Sequence, residues 1–382
     1  MHNLVGLMME RRRLAVLLIV LASGAACGPL GGPTGNARLS PTASPQASSS
    51  QSSASTSPTP RGSPAPKPVA GAYGVLVTPI TGSTQYNVAL IGVDGRVAAS
   101  AQTTSPAVVS CPGAGAPLPL PVSTSNSRLY FMDGQGSVYY LSPGGETGKA
   151  TSVPAGTASR RAMFAVSPDD HRIAVIVNDY SSGGASTRLY VEDLNGGGNH
   201  LDIYSQSGAK TLWPVGWHGT TSLVLAVVPS CTQGGGPFCC GIQELHVVDP
   251  ATAARRFTIG NITSCVIVGP ASPAGDICWA GSTSSILNWT GGTVRSYAQT
   301  GPAIQLLSPN GGQVAVVDNT GTSMQGTNLT FPGVFACGWI DEAHVLAGGD
   351  SQHQPRVVDL SAKTQIPVAA QGDCAGRLPG GL

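Results

Sequence analysis

Histidine is the side chain best suited to acid–base or metal chemistry near neutral pH. Six follow the first 27 residues: His171, His200, His218, His246, His344 and His353. Each is isolated from the others along the chain. No His-Glu-x-x-His run sets two imidazoles on one helix face for zinc. No Gly-x-Ser-x-Gly run builds the sharp turn that exposes a nucleophilic serine. Gly144-Gly145-Glu146-Thr147-Gly148-Lys149-Ala150 has the glycines and lysine of a phosphate loop, but its first glycine is misplaced. Ala150 also stands where Ser or Thr would ligate magnesium, so a hairpin turn is the simpler reading. No catalytic residue, metal ligand or cofactor is assigned from the sequence.

Cysteine offers a different chemistry. Beyond Cys27 there are eight: Cys111, Cys231, Cys239, Cys240, Cys265, Cys278, Cys337 and Cys374. An even number in an exported chain reads as a disulfide set. The expected pairs are Cys265–Cys278, joining neighbouring strands, and Cys337–Cys374, clamping the last structural unit. Cys231 is expected to pair with Cys239 or Cys240 across the glycine-rich residues 232–238, which leaves Cys111 for the remaining one. Zinc is the rival use of these thiols. The adjacent Cys239-Cys240 and the lone His246 lack the paired, spaced ligands of a zinc site.

The chain opens with a basic cluster, Arg11-Arg12-Arg13, then an apolar run over residues 14–22, then Ser23-Gly24-Ala25-Ala26 and Cys27. This order marks a secretory signal. The run is too short to span a bilayer, which takes about 20 residues. Gly24-Ala25-Ala26-Cys27 resembles a bacterial lipobox. The resemblance implies cleavage after residue 26 and thioether lipidation of Cys27, with Gly24 departing from the leucine usual at that position. The alternative is ordinary secretion with Cys27 left free. The expected location is extracytoplasmic, anchored to the cell membrane through Cys27, or secreted if Cys27 is unmodified.

Residues 27–68 are rich in Ser, Pro and Thr and hold almost nothing that could form a core, so a disordered tether is expected. Extended, its roughly 40 residues reach on the order of 100 Å. Residues 69–382 differ sharply. Charged residues make up 10% of the chain, against about 25% in ordinary globular proteins. There are 51 glycines and 30 prolines. Few charges and many turn-formers disfavour a helical protein. Residues 69–382 carry 14 Lys and Arg against 18 Asp and Glu, a net −4. Without a basic face, nucleic acid is not an expected partner.

From residue 72 the chain reads as short β-runs punctuated by turns, such as Tyr73-Gly74-Val75-Leu76-Val77-Thr78 and Leu223-Val224-Leu225-Ala226-Val227-Val228. The runs repeat. Ser167-Pro168-Asp169-Asp170 before an apolar strand returns as Ser308-Pro309-Asn310-Gly311 and, shorter, as Ser272-Pro273-Ala274-Gly275. Gly216-Trp217 returns as Gly338-Trp339. Turn anchors at Asp94, Ser142, Asp193, Asp249 and Thr290 lie 48, 51, 56 and 41 residues apart. Asp359 follows after 69, room for a short unit at 303–333. A period of about 40–55 residues with four short strands marks a propeller. These turns resemble those of TolB-like and WD-repeat-like propellers of exported bacterial proteins. The resemblance implies an all-β fold, a β-propeller of seven blades with six as the alternative, over residues 69–382.

Trp217 and Trp339 are expected in the blade core. Residues 178–187 and 230–241 read as long loops that either build a recognition rim or are plain insertions. The leading functional expectation is a monomeric binding or scaffold module for an envelope protein, peptide or glycan. The rival is a propeller enzyme, a lyase or hydrolase, whose axial face gathers His171, His218, His246, His344, Asp341 and Glu342. A structural envelope protein is the third reading.

Overall fold

The computed structural model describes residues 66–382 except 112, 113, 117, 182, 183, 232–241, 302 and 350–352. Cys27, the signal segment and nearly all of the tether therefore lie outside the described residues, as do Cys239 and Cys240.

Seven four-stranded antiparallel sheets follow one another as the blades of a propeller. Blade 2 runs through Val122–Thr124, Leu129–Met132, Ser137–Leu141 and Thr147–Ser152; blade 3 through Arg160–Val166, Arg172–Ser181, Gly184–Asp193 and Leu201–Gly208. Blade 4 holds Lys210–His218, Ser222–Pro229, Glu244–Val248 and Arg255–Ile259; blade 5, Val266–Ile267, Asp276–Ala280, Thr283–Leu287 and Thr293–Ala298. Blade 6 holds Ile304–Leu307, Val314–Asp318, Gly321–Met324 and Thr330–Pro332; blade 7, Ala336–Trp339, His344–Ala347, Arg356–Asp359 and Thr364–Pro367. Blade 1 is composite: Tyr73–Pro79, Gln85–Gly92 and Val97–Thr104 take Asp373–Leu378 as their inner strand. Tyr73 faces Leu378 and Leu76 faces Cys374 in that pairing, which closes the ring.

The second strand of each blade is apolar in runs rather than in alternation because both its faces are covered. In blade 3, Ile173 and Val175 pack toward Tyr130 and Val138 of blade 2. Ala174 and Ile176 pack toward Leu223 and Leu225 of blade 4. The outer strands face water, and Thr293–Ala298 is exposed at five of its six positions. In five blades the register between the third and fourth strands shifts by a β-bulge, for example between Leu189 and Tyr190. Such bulges increase local twist.

The Ser-Pro turns join first and second strands. Ser167 Oγ accepts the Arg172 N–H at 2.9 Å, and Ser308 Oγ accepts the Gln313 N–H at 3.0 Å. The fourth position of the turn is left-handed: φ is 61° at Asp170 and 77° at Gly311. Glycine is at home there, whereas aspartate is tolerated at some cost. Asp170 has a compensating use. Its carboxylate accepts hydrogen bonds from Ser127 Oγ and Tyr130 Oη of blade 2, both at 2.6 Å. Trp217 and Trp339 are core, and they are equivalent: each indole N–H donates at 3.0 Å to an inner-strand carbonyl of the preceding blade, Ala165 and Leu306 respectively.

The disulfides revise part of the expected scheme. Cys265 joins Cys278 within blade 5. Cys337 joins Cys374, but the bond lies between blades, from the inner strand of blade 7 to the closing strand of blade 1. Cys231 joins Cys111 rather than Cys239 or Cys240. Cys111 sits in a small hairpin, Ser110–Cys111 with Ala114–Gly115, between blades 1 and 2; the bond ties this insertion to blade 4. Residues 178–187 are not a loop; apart from the tip they extend the second and third strands of blade 3.

The Cys337–Cys374 bond spans 37 residues and sits at the ring closure. The Cys337→Ala/Cys374→Ala double variant is expected to lose about 2–4 kcal/mol of stability in urea unfolding. A reducing agent is expected to narrow the difference between the two proteins.

Candidate functional site: a cleft between blades 3 and 4

If the propeller were an enzyme, two or more of six groups were expected within hydrogen-bond reach in one pocket. His171 is exposed in the blade 3 turn. His218 Nδ1 lies 2.9 Å from the Leu382 carbonyl oxygen and donates to it. His344 Nδ1 meets Asp341 Oδ1 at 2.8 Å, but the two share one turn. There Asp341 also accepts the backbone N–H groups of Ala343 and His344. Asp359, from the outer turn of the same blade, stands 3.8 Å from His344 Nε2. Glu342 uses its backbone carbonyl to accept from Gln313 of blade 6. These groups tie turns and neighbouring blades together. His246, by contrast, lines a sizeable cleft.

That cleft has a volume of about 530 Å³ and lies between the outer strand of blade 3 and the face of blade 4. Its floor is apolar, made by Leu212, Leu225, Val227 and Val248. Gly208, Ala209 and Ala253 supply no bulk to fill it. Its polar groups are Tyr204, Gln206, Lys210, Glu244, His246 and Arg255. Strand periodicity places them. In Glu244–Val248, Leu245 and Val247 are buried while Glu244 and His246 are only partly covered, on the opposite face of the pleat.

His246 Nε2 stands 2.7 Å from Glu244 Oε1 and 3.3 Å from Arg255 Nη1. A single ring nitrogen cannot both donate to the carboxylate and accept from the guanidinium. The short contact marks Nε2–H donating to Glu244, with Arg255 alongside as a cation. Burial pushes the His246 pKa down; Glu244 opposes this, and Arg255 and Lys210 add to it. The ring is therefore neutral at pH 7. Two cations against one carboxylate leave the cleft net positive, with the Tyr204 ring beside it. A ligand suited to this surface brings a carboxylate for Arg255 and Lys210 and an apolar face for the floor.

Of these residues, only His246 was singled out from sequence. The signal for Glu244 was its two-residue spacing from His246 in a strand, which puts both on one face. Nothing in the sequence linked Tyr204 or Lys210 to them. The faint phosphate loop proves to be the Ser142–Glu146 turn and the outer strand of blade 2, as its substitutions implied.

No family model matches the chain, and no curated protein matches it. Among solved structures it is similar to an oligogalacturonate lyase in complex with manganese, at 11% identity and a TM-score of 0.33, covering 73% of this chain and 69% of that one. It is also similar to a protein of unknown function from Bacteroides caccae, at 10% identity and a TM-score of 0.40, covering 81% and 99%. A third likeness is to the Pyrococcus horikoshii acylaminoacyl peptidase, at 10% identity and a TM-score of 0.41, covering 78% and 52%. At these identities and scores the likenesses carry no functional argument.

In the folded protein the His246 charge is disfavoured, so its NMR titration is expected below the free-histidine value of about 6.5. Arg255→Met should raise that midpoint and Glu244→Gln should lower it further. A pKa depressed on folding means that the unfolded chain binds the extra proton first. The His246 contribution to stability is thus fully present above the unfolded value and is lost as pH falls below it and on through the lowered folded value.

Proposed function

We propose that this chain is a lipid-anchored, extracytoplasmic β-propeller that binds a carboxylate-bearing protein, peptide or glycan of the envelope. The cleft between blades 3 and 4 is its binding site. The observation that carries the reading is the net-positive, apolar-floored cleft of about 530 Å³, within the size range of ligand sites. The signal segment, the lipobox-like Gly24-Ala25-Ala26-Cys27 and the Ser/Pro/Thr tether support display on the outer side of the membrane. The Ser-Pro turns support kinship with TolB-like propellers. The binding module works as a monomer.

One observation favours an enzyme instead. Glu244 and a neutral His246, hydrogen-bonded in a cleft, have the arrangement of a general base and its orienting carboxylate. Turnover of an envelope glycan by the wild type, lost in His246→Ala, would decide for that second reading.

Capture from an envelope extract tests the first. The wild-type chain should recover a partner that Lys210→Glu/Arg255→Glu recovers at least about tenfold less, the equivalent of 1.4 kcal/mol. Equal recovery by both proteins, or none across repeated trials, rejects the cleft as the binding site.

Display at the membrane has its own readout. Cys27→Ala should move the protein from the membrane fraction to the soluble exported fraction, since the remaining chain has no acyl anchor. Retention at the membrane would show that Cys27 is not the anchor.

A further inference from the structure

Arg161, on the inner strand of blade 3, is only 6% exposed. Among the described residues its Nη1 donates to the Ala107 carbonyl at 3.3 Å. Its Nε is buried with no partner. Among the described residues no carboxylate makes an ion pair with it. Ala107, Pro119, Leu120 and Pro121 lie against it or its cavity; the sequence 105–121 contains no Asp or Glu, and neither does 230–243, which holds Cys231, the disulfide partner of Cys111. On the neighbouring inner strand the Trp213 indole N–H is likewise buried without a partner.

A guanidinium does not escape burial by losing its proton. An isolated buried charge must find a counter-charge. Arg161 lines a cavity of about 20 Å³ together with Pro121, Val122, Phe164 and Pro214. That volume admits one water-sized particle, and a buried water needs two to four polar partners. The other side chains around this cavity are apolar. The titratable groups that act on Arg161, the Tyr86 and Tyr180 phenols, are kept neutral by burial, so a water would leave the guanidinium charge uncompensated, and a carboxylate or phosphate would not fit.

We propose that the Arg161 guanidinium and this cavity form a binding site for a single halide-sized anion, chloride in practice, held beneath Pro119, Leu120 and Pro121. The anion supplies the negative charge that the surrounding chain lacks. The site is separate from the cleft between blades 3 and 4, and neither reading depends on the other.

The test is thermal unfolding of the full chain at constant ionic strength, with chloride exchanged for gluconate, which is too large to enter. The expected result is a Tm about 3 °C or more higher in chloride, rising with its concentration. Bromide should substitute, and Arg161→Met should show no difference between the two salts. An equal Tm in chloride and gluconate for the wild type, or an undiminished chloride effect in the variant, overturns the proposal. Should Arg161→Met fail to fold, crystals of the wild type soaked in bromide give an independent reading. Anomalous density beside the Arg161 guanidinium supports the site, and its absence there overturns it.

Discussion

A four-stranded sheet that is apolar on both faces cannot exist alone in water, and every feature of this protein depends on that constraint. Each blade needs a neighbour on either side, and the first and last must meet. They do so through one pairing, Asp373–Leu378 on Tyr73–Pro79, which brings together residues about 300 positions apart. Loop closure over such a distance costs conformational entropy before any contact rewards it. The Cys337–Cys374 bond spans the same junction and restrains the chain where that cost falls.

Between blades, polar contacts set the spacing that the apolar faces leave open. Trp217 and Trp339 repeat one contact, an indole N–H reaching back to the preceding inner strand. Asp170 performs a related task from the other partner, receiving Ser127 and Tyr130 of blade 2. Burial of that junction raises the Tyr130 pKa, so the phenol keeps the proton it donates. Asp276, fully buried at the start of a blade 5 strand, is pushed up to about 8 by the same loss of solvent, and it accepts the backbone N–H of Ile277. With so few charges in the chain, those not spent on turns stand out. Among them are the Lys210, Glu244, His246 and Arg255 group in the cleft and the buried Arg161 on the inner strand of blade 3.

The legible part of the fold was written in local chemistry. Ser167-Pro168-Asp169-Asp170 and Ser308-Pro309-Asn310-Gly311 occupy equivalent turns because a serine hydroxyl and a left-handed fourth residue are needed wherever that turn occurs. Asp94, Ser142, Asp193, Asp249 and Asp359 mark the third-to-fourth turns for the same kind of reason. Residues 178–187 misled because Ser181-Ser182-Gly183-Gly184 reads as a loop. The strands on either side continue almost to its tip, since the ladder there gains backbone hydrogen bonds that composition does not reveal.

The sequence by itself determined the elements: the β-runs, the turn positions, the blade period, an all-β domain following a signal-like and low-complexity start. These depend on residues a few positions apart, and propensity and spacing report them. Only the tertiary structure decided which distant residues meet. Cys231 pairs with Cys111, 120 residues away, instead of its near neighbours. Tyr204 and Lys210 come to face His246, and Arg161 is left without an acid. Those outcomes follow from how seven sheets pack radially and close on one another, a geometry that no local stretch of the chain encodes.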